Sequence, residues 1–279
     1  MITSEQQAYI EEHAYVPEHL IHYVSSMKEV EPFLSGNFLF FVGKGQVLFV
    51  GYPLGESYSE KKLKEALKKA IRLHKPNETM LISPTLSFLI HCLDKVSSDH
   101  YYQLDLPTLS IPQKLRNMVK RAGREIEVKK TRSYDQDHHE LVDDFSNSHP
   151  VGKETQTIFE KIERYVLSSD SVWIYEARTK KGDLVAFDIA EFKPKHYVFY
   201  MFNFNSRIHY IPGGSDLLLF HIILNAKSEN KRYMNLGLGI NPGITFFKRK
   251  WGGVPFLSHV FYMKGISKNE SQEALFQKL

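Results

Sequence analysis

Apolar and polar residues alternate along this chain in two distinct periods, and the switches between them mark its elements. A helix is expected near Pro17–Met27, followed by an aromatic hairpin, Asn37–Val42 and Gln46–Tyr52, joined by the short turn Gly43-Lys44-Gly45. Ser59-Glu60 then opens a helix over Lys61–His74 with apolar residues at 63, 66, 67, 70 and 71, Pro76-Asn77 stops it, and Thr79–Ser83 reads as a strand. Further strands are expected at Tyr101–Leu106 and Ile126–Thr131, with a helix between them that starts near Pro112.

The second half repeats the layout more fully. Helices at Glu140–Ser146 and Thr155–Leu167 precede three alternating strands, Val172–Thr179, Leu184–Phe192 and His196–Asn203, which form a meander. The turn Pro212-Gly213-Gly214, a helix over Asp216–Ser228, a strand at Tyr233–Leu238, a short helix at Ile244–Lys250 and a strand at Ser258–Met263 complete the chain.

With 279 residues, 42% of them hydrophobic and 13% aromatic, the chain can bury one large core or two smaller ones. Its single cysteine, Cys92, lies in an apolar run and excludes an intrachain disulfide or a cysteine metal cluster; a buried thiol is expected. The polar, acidic start is unlike a signal peptide, and no apolar run reaches the roughly 20 residues of a spanning helix, so a soluble cytoplasmic protein is expected.

The formal net charge of +4 is unevenly spread. Between Lys114 and Arg132 stand eight cations and two carboxylates, so the rest of the chain is net negative. On a helix, Arg116, Lys120 and Arg124 share one line and Lys114 and Arg121 an adjacent one, while Leu115, Met118 and Val119 turn to the core. Such a stripe suits a polyanion, and equally a solvated face with no partner.

Candidate chemistry concentrates in the last quarter. Gly213, Gly214 and Ser215 open a helix whose first N–H groups could hold an anion, although Asp216 in that first turn already satisfies the helix dipole and opposes a second negative charge such as a pyrophosphate. It could instead hold a substrate amine. Lys248, at the end of a short aromatic segment, can stabilise an oxyanion or grip a donor phosphate. Asp188 stands mid-strand between Phe187 and Ile189, either on a solvent face or aimed into a cleft as a general base; Glu176 and His209 are weaker candidates for that role, the former because it can pair with Arg178. His138-His139-Glu140 lacks the i, i+4 spacing of a helical metal site and suits a cap or a solvated segment, and no serine-hydrolase elbow, dinucleotide fingerprint or Walker pattern occurs.

The order of two helices, three antiparallel strands, then helix and strand resembles the Gcn5-related N-acyltransferase (GNAT) fold. The chain as a whole resembles tandem-GNAT proteins that include the C-terminal domain of phosphatidylglycerol lysyltransferases and the Fem-type aminoacyltransferases. Phe49-Val50-Gly51-Tyr52-Pro53-Leu54-Gly55, the basic segment Lys114–Ala122, Pro212–Leu218, Asn235-Leu236-Gly237-Leu238 and Phe247–Gly253 carry the resemblance. Where the lysyltransferases have an insertion after the Asn-Leu-Gly strand, only Gly239–Thr245 intervene here.

The resemblance implies an α/β (α+β) fold of two tandem GNAT-like units, each a mixed, mostly antiparallel sheet flanked by helices. The expected division is a degenerate unit over 1–110, a basic linker over 111–134 and the active unit over 135–279. It further implies transfer of an activated acyl or aminoacyl group to an amine or hydroxyl, with catalysis by positioning and by donors where two strands, His196–Asn203 and Tyr233–Leu238, splay apart. Gly213, Gly214, Ser215, Asp216, Asn235 and Leu236 would bind the donor; Lys248, Asp188, Glu176 and His209 are the catalytic candidates. Lys114, Arg116, Lys120, Arg121 and Arg124 would meet a tRNA. No permanently bound cofactor is expected: aminoacyl-tRNA or acyl-CoA would be the co-substrate, and a small molecule, lipid headgroup or peptide the acceptor. An acyl-CoA-dependent N-acyltransferase and a non-catalytic binding protein of the same fold are the alternatives.

Overall fold

The computed structural model describes residues 2–85, 95–149 and 151–265; the apolar run around Cys92 lies outside them. The chain forms two compact units. One comprises Met1–Tyr102, Leu238–Ile240 and Pro255–Leu279, the other Gln103–Gly237 and Asn241–Val254. Both units draw on separated stretches of sequence, whereas the expected division at 110 and 134 ran continuously along the chain.

In the first unit, α1 (Ser4–His13) begins at a capping box in which Thr3 Oγ1 accepts the Gln6 N–H and the Gln6 side chain accepts the Thr3 N–H. A 3₁₀ turn at Pro17–His19 leads into α2 (Ile21–Met27). Strands β1 (Glu31–Ser35), β2 (Phe38–Gly43) and β3 (Gln46–Val50) pair antiparallel in order. Lys44 and Gly45 both take positive φ, 49° and 75°, which matches the twist of a tight hairpin. The expected hairpin is present; α1 and β1 were not read from the pattern. α3 (Glu60–His74) follows, capped by Ser59, and β4 (Glu78–Ser83) returns parallel to β3.

Alternation along β2 divides the core. Phe38 and Phe40 pack with Val47, Phe49, Leu63, Leu67 and Ile71 under α3. Leu39 and Phe41 pack with Ile10, Val24, Leu48 and Val50 under α1 and α2. β5 (Lys95–Asp105) comes next in the chain, and the last strand, β11 (Val254–Gly265), pairs antiparallel with β4 and so belongs to this unit.

In the second unit, α4 (Gln113–Ala122) precedes β6 (Ile126–Thr131). The expected single helix over 155–167 is broken: after α5 (Gln136–Ser148), α6 (Lys153–Phe159) and α7 (Ile162–Leu167) are separate. α6 buries no residue, so nothing holds the two in one axis. β7 (Val172–Thr179), β8 (Leu184–Glu191) and β9 (Tyr197–Asn205) form the meander, with β6 on its outer edge. α8 (Gly214–Ser228) leads to β10 (Tyr233–Leu238), which runs parallel to β9, and α9 (Pro242–Lys250) follows.

β8 is buried at every position. Tyr175 reaches Asn225 of α8, while its neighbour Glu176 points to the other face and to His138 of α5, so helices cover both sides of this sheet. Three antiparallel strands, a helix and a parallel strand thus recur: β1-β2-β3, α3, β4 in one unit and β7-β8-β9, α8, β10 in the other.

Candidate active site

β9 and β10 pair only at Tyr197–Tyr233, Val198–Met234 and Phe199–Asn235. Beyond Phe199 they part, and the reason is local. Gly237 takes φ 75°, and its N–H turns back to the Asn235 side chain at 2.7 Å instead of continuing the ladder. The expected splay is therefore present at these strands.

Lys248 lies at this opening. It is 4% exposed, and a Cβ placed on Gly237 would stand 3.7 Å from Lys248 Nζ and 3.9 Å from the Tyr200 carbonyl oxygen. α9 is set deep by Gly253, whose N–H donates to the Lys248 carbonyl at 2.9 Å; a Cβ there would meet that carbonyl oxygen at 2.7 Å and Leu236 at 2.9 Å. Asn235 and Leu236 are themselves buried, so they shape the end of β10 from within.

The start of α8 adjoins this opening. Gly213 is the N-cap, at φ 89°, and a Cβ on it would come within 2.9 Å of Met118 in α4. A Cβ on Gly214 would meet Val185 at 3.4 Å. Both glycines thus have a packing reason, since their Cβ directions face protein. Asp216 is 5% exposed; Lys250 Nζ donates to its carboxylate at 2.7 and 2.9 Å and Trp251 Nε1 donates at 2.8 Å. The first turn of α8 is thereby tied to the end of α9 through a fully engaged anion.

Asp188 lies on the α8 face of β8, 0% exposed. It occupies neither a solvent face nor an open cleft. Its Oδ1 accepts Asn203 Nδ2 at 2.5 Å, and Asn203, Asn205 and Ser215 link it through hydrogen bonds of 2.8–3.4 Å to the α8 start. Asp188 Oδ2 and the Tyr200 hydroxyl are both buried; they lie close enough to shift each other's titration, but neither completes a hydrogen bond.

Burial pushes the Asp188 carboxyl well above the usual aspartate range; the bond from Asn203 and the nearby Tyr200 hydroxyl oppose the rise, and the Asp216 charge adds to it. Tyr200 is likewise raised, first by burial and then by Asp188 and Asp216. A carboxyl so placed keeps its proton to higher pH than an exposed aspartate, and it anchors the strand-to-helix network through Asn203.

The other candidates lie apart from this group. Glu176, 2% exposed, accepts Arg178 Nε at 2.7 Å and stands 3.4 Å from His138 Nε2 on the α5 face. Burial alone would raise its pKa, but His138 and Arg178 outweigh that and hold it at about 2. His138 caps α5 with Asp135 at 2.7 Å, the first of the two roles expected of that segment, and is buried rather than solvated. Asp135, His138 and Glu176 offer ligand atoms within 4.8 Å of one another, and Arg178, paired with both carboxylates, already occupies part of their hydrogen-bonding capacity. His209 is exposed on the loop before α8 and borders an open acidic cleft of about 420 Å³ with Asp137, Glu140, Asp144 and Asp183.

On α4, Leu115 and Val119 are buried and Lys114, Arg116, Lys120 and Arg121 are exposed, as the spacing requires. Arg124 is also exposed but follows Gly123, beyond the helix, and so does not extend the line of Arg116 and Lys120. α4 meets the α8 start at Gly213. Tyr200, Asn203 and Asn205 join the Asp188 group without having stood out in the sequence. The signal was present in two asparagines at i and i+2 in an otherwise aromatic strand, which places two amides on one face.

No family model matches the sequence, and no curated protein does either. Solved structures are similar in fold. The chain is similar to L-PGS from Bacillus licheniformis, at 15% identity and a TM-score of 0.61 over 99% of this chain and 95% of that one. It is similar to FemX at 11% identity and a TM-score of 0.63, covering 99% and 98%. A tandem GNAT protein from the clavulanic acid biosynthesis pathway shares 11% identity at a TM-score of 0.52, covering 84% and 79%. The tandem GNAT fold expected from the motifs is thus the fold observed.

Proposed function

We propose that the second unit transfers an activated aminoacyl group from aminoacyl-tRNA to an amine or hydroxyl. The observation that carries this reading is the early parting of β9 and β10 with the Lys248 ammonium buried beside the gap. Attack on an ester places negative charge on the carbonyl oxygen, and a fixed cation of low exposure stabilises that charge without reorganising at the moment of reaction. The ester C–O bond then breaks, the ribose oxygen leaves and takes up the proton that the nucleophile loses, and the new amide or ester bond remains. With Glu176 ion-paired and Asp188 enclosed in the Asn203–Ser215 network, positioning of the two reactants carries the reaction in this reading, and no side chain near the gap is assigned as the base.

The start of α8 supports tRNA over acyl-CoA as the donor. Asp216, buried in the first turn of α8 and matched by Lys250 and Trp251, already supplies the negative charge that this helix start would favour in a pyrophosphate. The exposed cations of α4, which packs on that helix start, suit the phosphates of an acceptor stem.

Calorimetry at low salt with CoA, acetyl-CoA and charged tRNA tests the choice. Binding of charged tRNA that weakens steeply with salt supports the reading; micromolar CoA binding with none to tRNA replaces it with an acyl-CoA enzyme. If neither binds, a non-catalytic role takes its place.

A further inference from the structure

α3 buries Leu63, Leu67, Ala70 and Ile71 against the sheet of the first unit and turns its other side to solvent. That side is strongly basic. From Glu60 to Lys75 there are seven lysines and arginines against only Glu60 and Glu65. Lys62 pairs with Glu56 at 2.5 Å and Lys64 with Glu60 at 3.3 Å, so nearby carboxylates offset only part of the charge.

Lys61, Glu65, Lys69 and Leu73 recur every four residues and so share one line along the helix. Lys69 and Arg72 are exposed, and Leu73 is 70% exposed between them and the helix end. Together with Glu65 and Lys68 they border a shallow groove open to solvent.

We propose that this face of α3 docks on an anionic lipid bilayer, with the lysines and Arg72 at the headgroup phosphates and Leu73 entering the boundary with the acyl chains. Clustered basic residues on one helical face gain attraction additively at a negatively charged surface, and one projecting aliphatic side chain adds burial that a polyanion in solution cannot offer. The cations are chiefly lysines, six of the seven, which act as point charges and lack the bidentate fork of arginine, whereas two of the four exposed cations of α4 are arginines. Those features favour a lipid surface over RNA. The proposal is independent of the transfer chemistry, since every residue in it belongs to the first unit.

The test is cosedimentation of the full chain with vesicles of equimolar phosphatidylglycerol and phosphatidylcholine, and with phosphatidylcholine alone. Binding is expected to the mixed vesicles only and to fall with salt. Lys68→Glu/Lys69→Glu/Arg72→Glu should weaken it more than about tenfold. Leu73→Ser should weaken it about threefold, and Arg116→Glu/Lys120→Glu on α4 should leave it unchanged. Far-UV circular dichroism confirms that the variants are folded. Equal binding to neutral vesicles, absence of binding to the mixed ones, or a triple variant that binds like the parent would each overturn the proposal. So would a triple variant that loses RNA binding while keeping its lipid binding.

Discussion

β3 and β4 stay paired from Gln46–Glu78 to Val50–Ile82, and the Gly51 N–H still reaches the Ile82 carbonyl beyond them. β9 and β10, the corresponding parallel pair in the second unit, stop after three residues and part at Gly237. The same order of elements therefore yields a closed sheet in one unit and an opening in the other. The strands preceding each pair differ in the same sense: β2 reads Phe38-Leu39-Phe40-Phe41-Val42-Gly43, wholly apolar, whereas β8 carries Asp188 at its centre. Polar groups inside a sheet are costly unless they are hydrogen-bonded, and Asp188 meets that condition through Asn203. The unit whose ladder breaks early is thus also the one that carries a buried carboxylate network beside the break.

The strongest way to break this comparison is to disable the opening itself. Lys248→Met is expected to lower transfer from charged tRNA about 10²–10³-fold in single-turnover assays. Thr79→Val in β4, which removes a buried hydroxyl with no hydrogen-bond partner, should leave the rate unchanged.

The second test concerns the helix start. Gly213→Ala meets both a left-handed backbone and Met118, and should cost about 1–3 kcal/mol in chemical denaturation. Gly214→Ala, with its nearest neighbour at 3.4 Å, should cost less. A reversed order would mean that α4 does not hold the turn.

Charge reversal at Arg116 and Lys120 should reduce tRNA affinity about tenfold and lower the steepness of its salt dependence by about two in log–log slope, measured by titration at several ionic strengths. The same pair should not alter thermal stability.

The smallest effect is in the pH dependence, and it contrasts two carboxylates on opposite faces of the second unit's sheet. Asp188 keeps its proton to higher pH when folded than when unfolded, so stability falls as pH rises from the ordinary value of 3.8 through its raised folded value. Asp188→Asn should flatten that decline in melting curves taken across pH. Glu176, held at about 2 against an ordinary 4.5, works the other way: its contribution is present above about 4.5 and is lost as pH falls toward 2. Glu176→Gln should flatten the acid limb only.

Much of the fold was legible because period and punctuation agree with packing. Ile126–Thr131, Val172–Thr179 and Tyr233–Leu238 are strands over the residues the alternation indicated. β1 was missed because five residues containing a proline give too short a pattern to stand apart from a loop, and its place depends on pairing with β2. α1 was missed although Thr3 and Gln6 spell a capping box, because it buries only Ile10 and shows little apolar stripe.

The candidate site was only partly legible. Lys248 and the α8 start could be picked out because glycine-rich and basic segments stand out in one dimension. The partners of Asp188 and Asp216 could not, because they come from strands and helices 15 to 35 residues away. Nor does the sequence reveal that Glu176 and Asp188 face opposite helices; that follows from the antiparallel register that sets Tyr175 against Asp188.

The most direct test is hydrogen exchange of the full chain with and without a non-hydrolysable aminoacyl-tRNA analogue. Protection should appear over 197–203, 211–217 and 242–250, and be absent over 46–50 and 78–83. Protection confined to the first unit's strands, or none in either set, would contradict the placement of the transfer site at the parting of β9 and β10.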